Sequence, residues 1–212
     1  MVRKSNRRSK AAGLSRAALE RRDRRAGAMR QTILRAAARV FRRRGFAATG
    51  MRDIAAAADL SPGNLYYYFR SKQELLFFCQ DHSLQRMLST CRAVRAGRLG
   101  AAERLGAVIR AQVACMLDEL DGAAAHTEVE ALPPRLRARI VAKRDRYEAA
   151  VRRIVVAGVR ARAFAPCDPV LVTRALLGAV NWTARWYRPE GERRPAELAD
   201  AFADYLVRGL VK

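Results

Sequence analysis

The chain has 212 residues, with 42 Lys plus Arg against 20 Asp plus Glu, and so a formal net charge of +22. Half of its residues are apolar, which excludes a disordered polycation, and the length suits one or two domains with a sizeable buried core. The charge excludes an acidic or neutral surface and makes polyanions the first partners to consider.

The charge is unevenly placed. Residues 1–30 hold 11 basic residues and 2 acids, residues 31–72 hold 8 and 2, and residues 73–212 hold 23 and 16. The first third of the chain therefore carries 15 of the 22 net charges, a basic binding end joined to a more ordinary globular body. Residues 1–29 have few large apolar side chains (Val2, Leu14, Leu19, Met29) and no sustained period. They read as a basic, flexible arm with helix at most over 15–25. Met29, just ahead of the first clear helix, is a second candidate translation start beside Met1.

From Arg30 the pattern turns helical: Ile33, Leu34, Ala37, Val40 and Phe41 share one face of a 3.6-residue period. Arg42, Arg43 and Arg44 suit the negative end of that helix, and Gly45 stops it. A short helix over 51–58 turns Met51, Ile54, Ala55 and Ala58 inward. After the turn at Asp59-Leu60-Ser61, Pro62 opens a third helix over 62–69 behind Ser61 as N-cap. Its inner face is Leu65, Tyr68 and Phe69. Ser71 and Glu74 form a capping box for a fourth helix reaching about residue 95. Helices over 102–124, 135–163, 169–187 and 195–211 follow, set off by Gly97–Gly100, Pro133-Pro134, Pro166 and the Arg188-Pro189-Glu190-Gly191 turn. No alternating strand pattern occurs. The spacing predicts an all-α fold of about nine helices.

Two short helices joined by a tight turn, behind a longer one and in the most basic region, describe a helix-turn-helix at about residues 50–69. With Leu65, Tyr68 and Phe69 inward, Gly63, Asn64, Tyr66 and Tyr67 are left outward or at the N-terminal tip, where a recognition helix meets base edges. Gly63 lets the backbone approach DNA closely, and Asn64 and Tyr66 can bond or pack on bases. Tyr67 offers a phenol and Lys72 a cation at phosphate height.

Residues 31–72, from Gln31-Thr-Ile-Leu-Arg-Ala-Ala through Met51-Arg-Asp-Ile-Ala-Ala-Ala-Ala to Gly63-Asn-Leu-Tyr-Tyr-Tyr-Phe-Arg-Ser-Lys, resemble the DNA-binding domain of tetracycline-repressor-type (TetR/AcrR) regulators. The resemblance implies an Ω-shaped, all-helical homodimer that leaves its operator when a small molecule binds the C-terminal domain. By position it implies that Arg52 meets a base or phosphate. Gly63, Asn64 and Tyr66 address the groove, Thr49, Tyr67, Tyr68 and Lys72 hold the DNA backbone, and Ser61 and Pro62 belong to the same DNA-binding set. Gly50 departs from the family's usual Ser or Thr cap, and Tyr68 from a common His. The implied division is an arm (1–29), a DNA-binding domain (30–75) and an effector-binding and dimerisation domain (76–212).

The segment Asn181-Trp-Thr-Ala-Arg-Trp-Tyr-Arg-Pro-Glu-Gly191 resembles the subgroup that controls acyl-CoA, fatty-acid and steroid-ring catabolism, in which the effector is often a CoA thioester. Arg174, Asn181, Trp182 and Arg185 share roughly one helix face and are the candidate effector residues. Trp182 and Trp186 also read as packing anchors and the arginines as ordinary surface. Apolar stripes on the last two helices (Val172, Leu176, Val180; Leu198, Phe202, Leu206, Leu210) suit a core, and by resemblance a four-helix dimer interface.

An enzyme has little support: there are two histidines and no GxSxG, P-loop or GxGxxG pattern. His126, Glu128 and Glu130 lack companion ligands for a metal, and no cofactor is expected. The four separated cysteines fit a reduced, cytoplasmic protein. No apolar run approaches the roughly 18–20 residues that span a bilayer. The rival to a specific regulator is a nonspecific binder of nucleic acid or anionic membranes, which the charge alone would support.

Overall fold

The computed structural model describes residues 3–117, 128–188 and 190–211, with side chains from residue 21 onward. Among these residues there are eight α-helices: α1 (Arg3–Arg44), α2 (Met51–Ala57), α3 (Pro62–Tyr68), α4 (Lys72–Ala96), α5 (Ala101–Leu117), α6 (Pro134–Arg160), α7 (Pro169–Trp186) and α8 (Pro195–Arg208). A 3₁₀ turn (Val129–Ala131) precedes α6, and the only extended pairing among the described residues is an isolated bridge between Phe164 and Val211.

One difference from the sequence expectation is at the start. Residues 3–29 are helix continuous with the helix of 30–44, so α1 has 42 residues where an arm is expected. Their Ala- and Arg-rich composition, free of proline, has high helix propensity even without an apolar stripe. Gly45 ends α1 as expected, at φ +76, its N–H donating to Phe41 O at 2.8 Å. The helix expected to reach residue 124 is described to Leu117, and residues 118–127, including His126, lie outside the described set.

α1, α2, α3 and the first turns of α4 enclose Ile33, Ala37, Phe41, Ile54, Leu65, Phe69, Leu75 and Leu76. The rest of α4 packs with α5, α6 and α7 around Met87, Leu105, Val108, Ile109, Val113, Val151 and Val155. α8 lies along α5, where Arg110 pairs with Asp200 at 2.6 Å. Asp168 starts α7 by accepting from the N–H groups of Val170 (2.8 Å) and Leu171 (3.3 Å), a capping arrangement that proline at the next position reinforces.

α6 stops three residues before the expected end. Arg162 takes φ +58, and the N–H groups of Ala163 and Phe164 both donate to Gly158 O, at 2.9 and 3.1 Å. This reversal folds the buried Phe164 ring onto the bare backbone of Gly158, where a Cβ would overlap the ring. Gly158→Ala should therefore destabilise the protein by about 1–3 kcal/mol through overpacking. Denaturant unfolding measures this; an unchanged or raised midpoint would contradict the packing described.

Candidate nucleic-acid interface

The scaffold for α3 is built by local capping. Gly50 has no side chain to cap α2, but its own N–H donates to the Asp53 carboxylate at 2.8 Å. Asp53 also pairs with Arg44 at 2.9 Å, fastening the end of α1 to the start of α2. Asp59, at φ +56, makes the sharp turn between the short helices. Ser61 caps α3 by accepting from the Asn64 N–H at 3.2 Å. Ser71 caps α4 in the same way through Glu74, whose carboxylate accepts in return from Arg70 N–H at 2.7 Å. The expected box is thus closed one residue earlier than the simple pattern.

Capping and burial together fix which side of α3 is bare. Leu65 and Phe69 are buried, Tyr68 is half-buried, and Tyr66 and Tyr67 are 52% and 83% exposed. Ser61, Pro62, Gly63 and Asn64 are exposed at the tip, and Arg52 is exposed on α2. A Cβ on Gly63 would meet nothing within 4 Å, so the space before that backbone is open to a partner. Tyr67 stands edge-on to Tyr68, with ring centroids 5.1 Å apart. Both rings border a shallow groove whose other wall is Asp23, Ala26, Gly27 and Arg30 of α1. The N-terminal extension of α1 therefore flanks the exposed tyrosines.

Two expected backbone contacts are placed otherwise. Thr49 is 2% exposed and its hydroxyl donates to Gly45 O at 2.7 Å, so its side chain faces the turn and not a phosphate. Lys72 Nζ donates to the carbonyls of Phe46 (3.0 Å), Ala47 (3.2 Å) and Thr49 (3.0 Å) and lies over the Phe46 ring at 4.5 Å. An ammonium has three donors, and here all three hold the turn between α1 and α2. Lys72 is a tether between α4 and that turn.

The expected effector residues also divide. Arg174 and Asn181 border a cavity of about 370 Å³ among α4, α5, α6 and α7. There the Tyr147 hydroxyl donates to Gln112, and the Gln112 amide donates to Asn181, each at 2.9 Å. Burial pushes the Tyr147 phenol well above its usual range, so it remains a neutral donor. Arg174 lies 3.7 Å from Glu148. Trp182 and Arg185 do not line this cavity: Trp182 is 62% exposed, with the Arg185 guanidinium over its ring at 5.9 Å. Gln80 is a further buried polar group, fully enclosed with both amide atoms lacking a partner. Its place between Leu76 and Leu84 on the buried face of α4 is a signal the sequence carries.

Residues 33–77 match the profile of "Bacterial regulatory proteins, tetR family", and residues 98–210 match "Tetracyclin repressor-like, C-terminal domain". The chain is 27% identical over 190 residues to the HTH-type transcriptional repressor KstR2 of Rhodococcus jostii (strain RHA1), covering 85% of this chain and 90% of the relative. The crystal structure of the TetR family transcriptional regulator PfmR from Thermus thermophilus is 31% identical, with a TM-score of 0.76, and covers 85% of this chain and 99% of that one. AibR in complex with isovaleryl coenzyme A and operator DNA is 25% identical, with a TM-score of 0.71, and covers 86% and 98%.

The tether makes Lys72→Ala a discriminating substitution. Loss of its bonds should lower stability by about 1–2 kcal/mol and weaken binding to every duplex through a loosened helix-turn-helix. Because its donors are held by carbonyls, the slope of log affinity against log salt should change by clearly less than a direct phosphate contact would give. A phosphate contact would lower that slope by about one unit. Thermal melting together with binding at several salt concentrations distinguishes the two.

Proposed function

The chain belongs to the tetR family of bacterial regulatory proteins, and we propose that it works as a dimeric repressor, released from its operator by a small acyl-CoA-type effector. DNA binding and repression follow from the family. The observation that carries the specific reading is the bare tip of α3: Gly63, Asn64, Tyr66 and Tyr67 are exposed on a helix whose other side is locked by Leu65 and Phe69. Side chains without net charge at such a tip read base edges, while charge elsewhere supplies affinity. Arg52, Ser61, Pro62 and Tyr68 complete the surface offered to the duplex.

Two copies are needed to place two such tips on half-sites roughly 34–36 Å apart. α7 and α8 carry the exposed apolar side chains that suit self-association: Leu171 (68% exposed), Trp182 and Tyr205 (80%). On this reading Trp182 and Arg185 belong to the dimer face, and Arg174 and Asn181 to the effector cavity. AibR, bound to isovaleryl coenzyme A and operator DNA, supports the ligand class. The protein acts by binding, without catalysis, in the cytoplasm where its operator lies. No helix among the described residues is long and apolar enough to cross a membrane.

Tyr66→Ala and Asn64→Ala should each erode discrimination between operator and random duplex by about 1–3 kcal/mol, with little change in nonspecific affinity. Competition by excess random DNA measures this, and equal displacement of the wild-type protein by random duplex would favour a nonspecific binder. Acyl-CoAs should release the operator in a gel shift while the matching free acids do not. Retention of DNA in the presence of every thioester would remove the effector reading.

A further inference from the structure

A second, larger cleft of about 670 Å³ lies between α4 and α6, at the end of α4 remote from the helix-turn-helix. Its charged walls are Arg92 and Arg95 from α4, Arg104 from α5, and Lys143, Arg146 and Arg153 from α6; no carboxylate lines it. Lys143 is already paired with Asp81 at 2.6 Å. The five guanidinium groups have no acidic partner within the cleft. Arg104 donates one bond to Gly97 O at 3.1 Å, yet its Nε is buried and without a partner. The cavity bordered by Arg174 and Asn181 contrasts sharply: there Arg144 and Arg174 are balanced by Asp145 and Glu148.

The floor of the cleft is apolar and small, formed by Leu88, Cys91, Ala150, Ile154 and Ala157. Burial pushes the Cys91 thiol up to about 11, so it adds no negative charge there. Alanines on α6 opposite the arginines of α4 leave room for a group that is flat or slender. Operator phosphates do not fill this site, because Arg92 stands about 30 Å along α4 from Lys72 at 1.5 Å per residue.

We propose that the cleft between α4 and α6 binds a nucleotide-type polyphosphate anion, its clustered phosphates held by Arg92, Arg95, Arg104, Arg146 and Arg153 and its apolar part resting on Leu88, Ala150 and Ile154. Guanidinium forks match phosphate oxygens bidentately, and several phosphates on one ligand answer a concentration of positive charge that a carboxylate would leave mostly uncompensated. The chemistry is shared by free nucleotides and by the nucleotide end of coenzyme A. The site stands on its own geometry, whichever thioester, if any, acts as effector.

Calorimetric titration of the full chain with adenosine 3′,5′-bisphosphate and with coenzyme A tests the site. Both should bind if free nucleotides fit; binding of coenzyme A alone assigns the site to the carrier. The double variant Arg92→Ala/Arg95→Ala should weaken binding by roughly tenfold or more. Ala157→Glu, which places a carboxylate in the cleft at an exposed position, should abolish it. Melting curves verify that both variants remain folded. Absence of binding to the wild type at millimolar ligand, or equal binding by wild type and variants, would overturn the proposal. Nucleotide binding lost in the variants, with no operator release by any thioester, would support the site and remove only the effector reading.

Discussion

α4 is built into two cores at once. At its start, Lys72 holds the carbonyls of the 46–49 turn, Leu75 and Leu76 are buried against the DNA-binding unit, and the Cys79 thiol donates to Leu34 O at 3.6 Å. Farther on, Leu84, Met87, Cys91 and Val94 are buried in the body. The helix between has 25 residues with neither glycine nor proline, so it has no built-in hinge. The orientation of α3 is thereby referred to the packing of α4 against α5 and α6, and close-packed interiors shift between discrete arrangements more readily than they deform.

Four aspartates set the register between helices. Asp53 joins α1 to α2 through Arg44, Asp200 and Asp204 join α8 to α5 through Arg110, and Asp81 joins α4 to α6 through Lys143. The exposed pairs among these, at Asp53, Asp200 and Asp204, contribute about 0–1 kcal/mol each, so they fix helix positions more than they stabilise the fold, whereas the Lys143–Asp81 pair is largely buried. The excess of basic over acidic residues is concentrated in the sequence of α1, and the α4–α6 cleft is lined by cations with no carboxylate. Net charge alone would not separate these two places, one suited to a duplex and the other to a compact anion.

The parts legible in the sequence are those set by neighbours in the chain. Ser61, Ser71, Pro169 and Gly45 act within one turn of themselves, so they mark α3, α4, α7 and the end of α1 correctly, and the 3.6-residue stripes give the right core. The reversal at Arg162 is different, because it depends on Phe164 finding a bare Gly158 across the turn. Lys72 and Thr49 look like phosphate ligands by position, but their partners are backbone carbonyls, and which carbonyls lie within reach is decided by tertiary packing 23–26 residues away for Lys72. The candidate ligand residues on α7 share a helical face, yet a face can be divided between an interior cavity and an outer surface. The arginines of the α4–α6 cleft are scattered from residue 92 to 153; only the packing of three helices makes them one site.

Release of DNA requires a ligand that favours the non-binding arrangement over the binding one. α4 lines both the neutral cavity, through Leu84 and Met87, and the cationic cleft, through Leu88, Arg92 and Arg95, so a ligand in either acts directly on the element that orients α3. The motion needed is small. A rod of 25 residues is about 37 Å long, and a tilt of about 5° carries its far end roughly 3 Å. Hydrogen bonds to base edges tolerate only a few tenths of an ångström beyond about 3.2 Å, so such a tilt is enough to break the base contacts proposed for Asn64 and Tyr66. In a dimer the displacement occurs at both ends, changing the separation of the two tips against a half-site spacing that DNA holds fixed. A modest preference of the ligand for the wider or narrower packing of α4 against α6 is thus converted into loss of a fit that must be met twice.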